Sequence, residues 1–564
     1  MTAQPPWSRR AVWSLALGMT AVLGCGLITG IPAMTLGRAA RRDVRLAGGA
    51  RRGRGLASVG FLLGLIGTVL SIVVLAYVLD RGNFGPDRKP WTHPAPATEP
   101  SPSELKPFYT QKVHWDDCDD GYCTTITVPV DYLQPEGQTT KVAVRVVPST
   151  GSGHRSLFVN PGGPGASAQS FAQYFAANGD REIRRRYDIV GVDPRGVAES
   201  DPLDCLSHRE MDRFTVSDPD PDSPEEVREF RAQTQRMGEG CLRRSGPLAE
   251  HVSTEEAARD LDIVRALLGR AKLDYFGASY GTQLGATYAT LFPERSGRLV
   301  LDGAVGPALG SMDASLGQAR GFGRALRAYV ADCVKDPDCP LGRDEGRANA
   351  KIRKLLESLD QRPMKTADSR RLTESQAYYG IALTLYEKAT WPGLTSGLAA
   401  AMSGDGTVLL KLSDAYFGRE SDGSYDSNLG ESFAAVTCLD TRDRPSFADV
   451  QAAMPRFTKA SSVFGSMFAF GALRCSDWPI EATHPQIELD ADGADPIIVL
   501  GTTRDPATPY EWAEDMAKAL KPAVLVSRDG DGHTAYQSGD RCVRRIVDAF
   551  LVRGTVPKPG IVCD

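Results

Sequence analysis

The chain has 564 residues, 42% of them hydrophobic, with 65 Lys+Arg against 70 Asp+Glu and a formal charge of −5. Such a balance offers no basic excess for nucleic acid. The length leaves room for more than one domain and for a large core.

The first 80 residues differ from the rest. Residues 11–34 and 55–79 are two runs without a charged side chain. As helices each would be about 36 Å long, enough for a hydrocarbon core of about 30 Å. Between them lie Arg38, Arg41, Arg42, Arg45, Arg51, Arg52 and Arg54. Positive charge stays on the cytoplasmic side, so this loop is expected inside and everything after Leu79 outside. Gly26, Gly30, Gly60 and Gly64 give two small-residue faces on which the helices could pack. The pair resembles a two-helix module at the N-termini of actinobacterial envelope proteins. A cleaved signal is the rival reading, and Ser8-Arg9-Arg10 hints at a twin-arginine type. The length of the first run, the absence of a clear A-x-A site and the second run argue against it. The expectation is a membrane anchor over 1–81. Residues 82–107 follow with seven prolines and read as an extended spacer.

From Phe108 the pattern alternates between strand and helix. Residues 124–133 and 141–147 alternate apolar and polar side chains, as half-buried strands do. Residues 156–160 run into Pro161-Gly162-Gly163-Pro164-Gly165, and 187–193 run into Pro194-Arg195-Gly196. Residues 253–269 open with a serine cap and an acidic first turn, as helices do. A strand at 273–277 enters Gly277-Ala278-Ser279-Tyr280-Gly281, and 283–292 reads as a helix. Buried strands are expected at 298–303, 496–501 and 523–527. This alternation predicts an α/β fold with a mostly parallel sheet flanked by helices. Segments 321–333, 346–360, 375–389 and 392–402 read as helices and suggest an α-helical cap inserted into the α/β core. The expected divisions are 108–305 for the first part of the core, 306–480 for the cap and 481–564 for the second part.

A G-x-S-x-G pattern is weak evidence in a chain with 57 glycines. Its context makes it stronger: an apolar strand before Ser279, a helix after it, and small neighbours that a strained turn needs. A nucleophilic serine at this turn requires an acid and then a histidine later in the chain. Only His484 and His533 follow Ser279. His484 precedes a proline, whereas His533 sits in a glycine-rich loop after a strand, so His533 is the expected base. Asp505 lies just past the 496–501 strand and is the expected acid. Asp302, at an earlier strand end, is its rival. An oxyanion site needs two backbone N–H groups. Tyr280 would supply one and the Gly162–Gly163 segment the other. This chemistry calls for no metal and no cofactor.

Ten cysteines follow the spacer, an even number that suggests disulfides in an exported region. Pairing sequence neighbours gives Cys118–Cys123, Cys205–Cys241, Cys333–Cys339, Cys438–Cys475 and Cys542–Cys563, although spacing does not fix connectivity. The intervals do not fit zinc ligation.

Together these motifs resemble a known family. Asn160-Pro161-Gly162-Gly163-Pro164-Gly165 is similar to the H-G-G-P-G of prolyl iminopeptidases, with Asn160 in place of His. Residues 193–200, DPRGVAES, resemble their D-x-R-G-x-G-x-S, with Ala198 in place of Gly. With YFGASYGT, VLDG, GTTRDPATP and DGHT, residues 108–564 resemble the secreted tripeptidyl aminopeptidases of actinobacteria. The resemblance implies an α/β-hydrolase peptidase with a helical cap. The expected protein is a serine exopeptidase at the cell membrane, with its catalytic domain outside the cytoplasm and a peptide or small acyl substrate. An aminopeptidase also needs a carboxylate to hold the substrate ammonium, and Glu431, Asp440 and Asp477 are candidates. A carboxylesterase of the same fold is the alternative, and a catalytically silent binding domain is a further one.

Overall fold

The computed structural model describes residues 9–20, 26–46, 55–59, 61–63, 65–66, 68, 91, 103–151, 155–483 and 487–564. The chain divides into two compact units, Met1–Thr92 and His93–Asp564.

In the first unit, Arg9–Thr20 and Gly26–Leu46 are helical, and Ser14 Oγ donates to the Ala33 carbonyl at 2.8 Å. The second helix runs on through Arg38, Arg41, Arg42 and Arg45. The basic stretch expected as a loop is therefore helical to Leu46. Arginine is a good helix former, and no glycine pair interrupts the chain before Gly48-Gly49. Among the described residues no helix is long and apolar enough to cross a membrane. The runs expected to span at 11–34 and 55–79 are described only in part: residues 21–25, 60, 64, 67 and 69–79 lie outside, as does most of the 82–107 spacer.

The second unit is built on one ten-stranded sheet. Its strands are β1 (Asp116–Cys118), β2 (Gly121–Pro129), β3 (Thr139–Val147), β4 (Arg155–Asn160) and β5 (Tyr187–Val192), then β6 (Leu273–Ala278), β7 (Ser296–Asp302), β8 (Ile497–Arg504), β9 (Ala523–Asp531) and β10 (Ile561–Cys563). Their order across the sheet is β1-β2-β3-β5-β4-β6-β7-β8-β9-β10. The first three pairings are antiparallel, and every pairing from β5–β4 onward is parallel.

β5 and β6 are buried at every position, as expected for parallel strands covered on both faces. One core cluster joins Leu157, Phe276, Val300 and Ile498 of the central strands to Phe171 and Phe175 on one helix and Val547 and Phe550 on another. The register aligns the strand ends: Asn160 pairs with Gly277, Ala278 with Asp302, and Leu500 with Asp302. The carboxyl ends of β4, β6, β7, β8 and β9 thus open on one edge, where ligands bind in such sheets.

Between β7 and β8 the regular structure among the described residues is helical, from Ser311–Cys333 to Gly465–Gly471, apart from a short hairpin pairing Met364–Lys365 with Arg371–Leu372. These helices enclose their own core around Phe322, Leu356, Ile381, Leu394 and Leu409. A second excursion, between β5 and β6, carries helices His208–Thr215 and Pro224–Ser245. Met211, Met237 and Cys241 there pack with Ala434, Cys438 and Trp478. The structure joins Cys118–Cys123, Cys205–Cys241, Cys333–Cys339, Cys438–Cys475 and Cys542–Cys563.

Candidate active site

Ser279 stands between β6 and the helix Tyr280–Leu291, with φ 56° and ψ −127°. A non-glycine residue in this region costs about 1–3 kcal/mol and persists only where the surroundings impose it. Here they do. A Cβ at Gly277 would lie 2.3 Å from the Gly281 carbonyl oxygen, and one at Gly281 would lie 2.8 Å from the Asn160 carbonyl oxygen. The elbow closes only because both positions lack side chains.

The loop after β4 lies directly against this elbow. A Cβ at Gly162 would meet the Ala278 carbonyl oxygen at 2.5 Å, the Tyr280 nitrogen at 2.8 Å and Ser279 Cβ at 2.9 Å. The Gly162 N–H donates to Asn160 Oδ1 at 2.9 Å, so Asn160, itself buried, spends that donor on shaping the turn. Of the two glycines expected to line the oxyanion site, Gly163 is the one whose N–H this bond does not use.

Asp505 and His533 meet at the neighbouring strand ends. His533 Nδ1 lies 2.9 Å from each Asp505 carboxylate oxygen. Asp505 is fully buried and also accepts the N–H groups of Ala507, Thr508 and Thr534 at 2.8–3.1 Å. These bonds fix the carboxylate in place and aim it at the ring. Thr508 Oγ1 is 3.3 Å from Nδ1. The ring stands edge-to-face on Tyr386 with centroids 5.3 Å apart, and the His533 N–H donates to the Tyr386 carbonyl at 2.7 Å. Among the described residues the buried Nε2 has no hydrogen-bond partner. Burial pulls the His533 pKa down. The charge and hydrogen bonds of Asp505, with Asp302 behind, outweigh it and set the net direction upward.

Asp302, the rival acid, does other work. Its buried carboxylate accepts the N–H groups of Ala535 and Tyr536 at 2.7 and 2.9 Å, and burial pushes its pKa up to about 6. It anchors the loop that carries His533 and makes no hydrogen bond to the ring.

Ser279 opens into a cavity of about 460 Å³ between the sheet edge and the helical region. Aromatic side chains, among them Phe230, Phe322, Tyr386, Phe433 and Phe468, line much of it. Of the three carboxylates considered for the substrate ammonium, Asp440 reaches this wall. Glu431 instead accepts the N–H groups of Cys205 and Leu206, and Asp477 pairs with Arg231. The sequence reading missed Asp218, which also lines the cavity. Asp218, Asp220 and Glu374 place carboxylate oxygens within 4.8 Å of one another. Among the described residues no Lys or Arg forms an ion pair with them. Burial pushes Asp218 up to about 7 and drives Asp220 and Glu374 upward too. Nothing in local sequence announces this cluster, because Glu374 lies some 150 positions from the other two.

A serine on a strand-to-helix elbow, with an Asp–His pair at the adjoining ends of a parallel sheet, defines the class of the α/β hydrolases. Residues 155–379 match the family described as alpha/beta hydrolase fold, and residues 461–563 match the family described as TAP-like protein. Serine protease Hip1 of Mycobacterium tuberculosis is 36% identical over 456 residues, covering 78% of this chain and 87% of that protein. Carboxylesterase B of the same organism is 37% identical over 449 residues, 78% of this chain and 86% of that one. A tripeptidyl aminopeptidase of Streptomyces coelicolor is 28% identical over 471 residues, 80% and 86% of the two chains. The chain belongs to the α/β-hydrolase serine peptidase family, and it is a serine hydrolase. Its N-terminal residues 10–74 match a domain of unknown function, DUF4190.

Proposed function

We propose that this protein is a serine exopeptidase that removes short peptides from free N-termini through a Ser279–His533–Asp505 triad. The observation that carries the reading is the buried His533 ring, bonded through Nδ1 to Asp505 and, among the described residues, left with an unpartnered Nε2. Asp302, next to Gly303, where a Cβ would lie 3.4 Å from the ring, holds the Ser279 N–H through its carbonyl. In the proposed cycle Nε2 takes the Ser279 proton as Oγ attacks the carbonyl carbon. Asp505 holds the tautomer and stabilises the charged ring. The N–H groups of Tyr280 and Gly163 receive the oxyanion. The charged ring returns its proton to the leaving amine, and water activated by His533 then releases the acyl group from Ser279.

Asp218 lines the cavity and, with Asp220 and Glu374 behind it, has no Lys or Arg partner among the described residues, which favours an ammonium-ended substrate over a plain ester. The relative named carboxylesterase B keeps an esterase as the second reading. The charge-free runs at 11–34 and 55–79 and the disulfides support a membrane-anchored enzyme whose catalytic unit lies outside the cytoplasm.

The test is active-site labelling of the full chain with a fluorophosphonate, followed by peptide mapping. The adduct is expected on Ser279 and is expected to vanish in Ser279→Ala. Absence of any adduct on the native protein, together with no turnover of peptidyl p-nitroanilides, would favour a silent binding domain.

A further inference from the structure

The helix Leu429–Asp440 touches both sides of the proposed oxyanion site. At its start it packs on the loop after β4: a Cβ at Gly165 would lie 2.9 Å from the Leu429 carbonyl oxygen and 3.0 Å from Ser432 Cβ. At its end Asp440 reaches the other donor through one intermediate. Asp440 Oδ1 accepts the Thr254 N–H at 2.9 Å, and Oδ2 accepts the Thr254 hydroxyl. The Thr254 oxygen in turn lies 2.6 Å from the Tyr280 hydroxyl. A threonine hydroxyl has one proton. Here the carboxylate takes it, so the Tyr280 hydroxyl must donate to Thr254. Thr254 and Tyr280 are both buried, so neither bond exchanges readily with water. Tyr280 is the residue after the nucleophile, and its main-chain N–H is the proposed oxyanion donor.

We propose that Asp440 is a positioning residue that fixes the Tyr280 N–H through Thr254, so that the helical region sets the geometry of the oxyanion site. The inference rests on the reading of Ser279 as nucleophile. It also removes Asp440 from the candidates for the substrate ammonium. Oδ1 is held by the Thr254 N–H, and Oδ2 is shared by the Thr254 hydroxyl and Gln283 Nε2, the latter at 3.3 Å. Donors whose position is fixed before reaction lose much of their effect when they drift by a fraction of an ångström.

The test is a double-mutant cycle on the full chain with p-nitrophenyl acetate, a substrate that carries no ammonium. Asp440→Ala and Tyr280→Phe each remove one link and keep the Tyr280 N–H. Each is expected to lower kcat ~10-fold with KM within about twofold, less than the ~100-fold typical when an oxyanion donor is deleted outright. Because both act along one path, the double variant is expected to be no slower than the slower single one. Thr254→Val, which deletes the relay hydroxyl but keeps its N–H, is expected to match them and stands in if Asp440→Ala fails to fold. Unchanged kcat in the single variants, or losses that multiply in the double, overturns the relay. A change confined to KM with peptidyl p-nitroanilides, and absent with the acetate ester, also overturns it and makes Asp440 an ammonium receptor. Ser279→Ala is run in parallel. If it retains turnover, the nucleophile reading has failed, and not merely the relay.

Discussion

The carbonyl of Asp302 accepts the N–H of Ser279 at 2.8 Å, while its carboxylate takes the N–H groups of Ala535 and Tyr536 just beyond His533. One residue at the end of β7 therefore ties the elbow on one side to the histidine loop on the other. Asn at this position offers one acceptor where two N–H groups need one. An unsatisfied buried donor costs about 1–3 kcal/mol. Asp302→Asn is expected to lower the unfolding free energy by that amount and kcat by ~10-fold or more, through displacement of the loop. Chemical denaturation beside steady-state kinetics checks both, and unchanged values in both would show that Asp302 anchors nothing.

In the proposed triad the histidine sets the acid limb of activity. A charged imidazole cannot accept the Ser279 proton, so kcat/KM must fall as pH drops through the His533 pKa. Asp505 and Asp302 raise that pKa against the opposing pull of burial, so the limb is expected above the ordinary value of about 6.5. In Asp505→Asn the main raising charge is gone and burial remains. The ring is then expected to titrate below its native value, read by NMR of the imidazole. A native limb clearly below 6.5 would mean that burial, not the carboxylate, governs the ring.

The elbow that carries Ser279 and the loop that carries His533 are legible because their signals are local: an apolar strand, small residues and a helix around one, a glycine-rich loop after a strand for the other. The strand-end position of Asp505 is legible for the same reason, and the structure pairs it with His533. The role of Asp302 is not legible, because its strand-end setting looks identical and only the fold shows that its N–H donors come from residues 535 and 536. The Tyr386 ring on His533 and the Thr254–Asp440 bonds join segments about 150 and 190 positions apart, which no periodicity reports. The excursion between β5 and β6 escaped notice because its helix Pro224–Ser245 is largely polar, with a weak apolar stripe. The continuous helix through the arginines went unread because positive charge marks membrane sidedness without marking helix ends.

That excursion is pinned by Cys205–Cys241, both buried and 36 positions apart. Loop-closure entropy gives such a crosslink a stabilising effect of about 3–4 kcal/mol. Replacing both cysteines by alanine is expected to lower Tm by several degrees. Met211 and Met237 pack with Ala434 and Cys438 of the helix that borders the cavity, so turnover is expected to fall as well. Differential scanning calorimetry under oxidising conditions measures the first effect. An unchanged Tm would show that packing alone holds the excursion.

The cluster of Asp218, Asp220 and Glu374 decides between peptide and ester. Glu374 is buried and Asp218 and Asp220 are half-buried, and among the described residues no Lys or Arg pairs with them, so burial and mutual repulsion push all three pKa values up and favour shared protons. A substrate ammonium would replace those protons with a fixed positive charge and restore ionisation. Asp218→Asn weakens this attraction without changing the size of the side chain. KM for a peptidyl p-nitroanilide with a free N-terminus is expected to rise ~10-fold, the equivalent of about 1.4 kcal/mol, near the lower end for a hydrogen bond to a charged group. The N-acetylated peptide should start with the higher KM and change little on mutation, and p-nitrophenyl acetate should be indifferent. Because an ammonium displaces protons, the preference for free N-termini should also weaken as pH falls below about 7, where Asp218 keeps its proton. Equal KM values for free and acetylated peptides in the native enzyme would assign the cluster a purely structural role and leave the esterase reading in front.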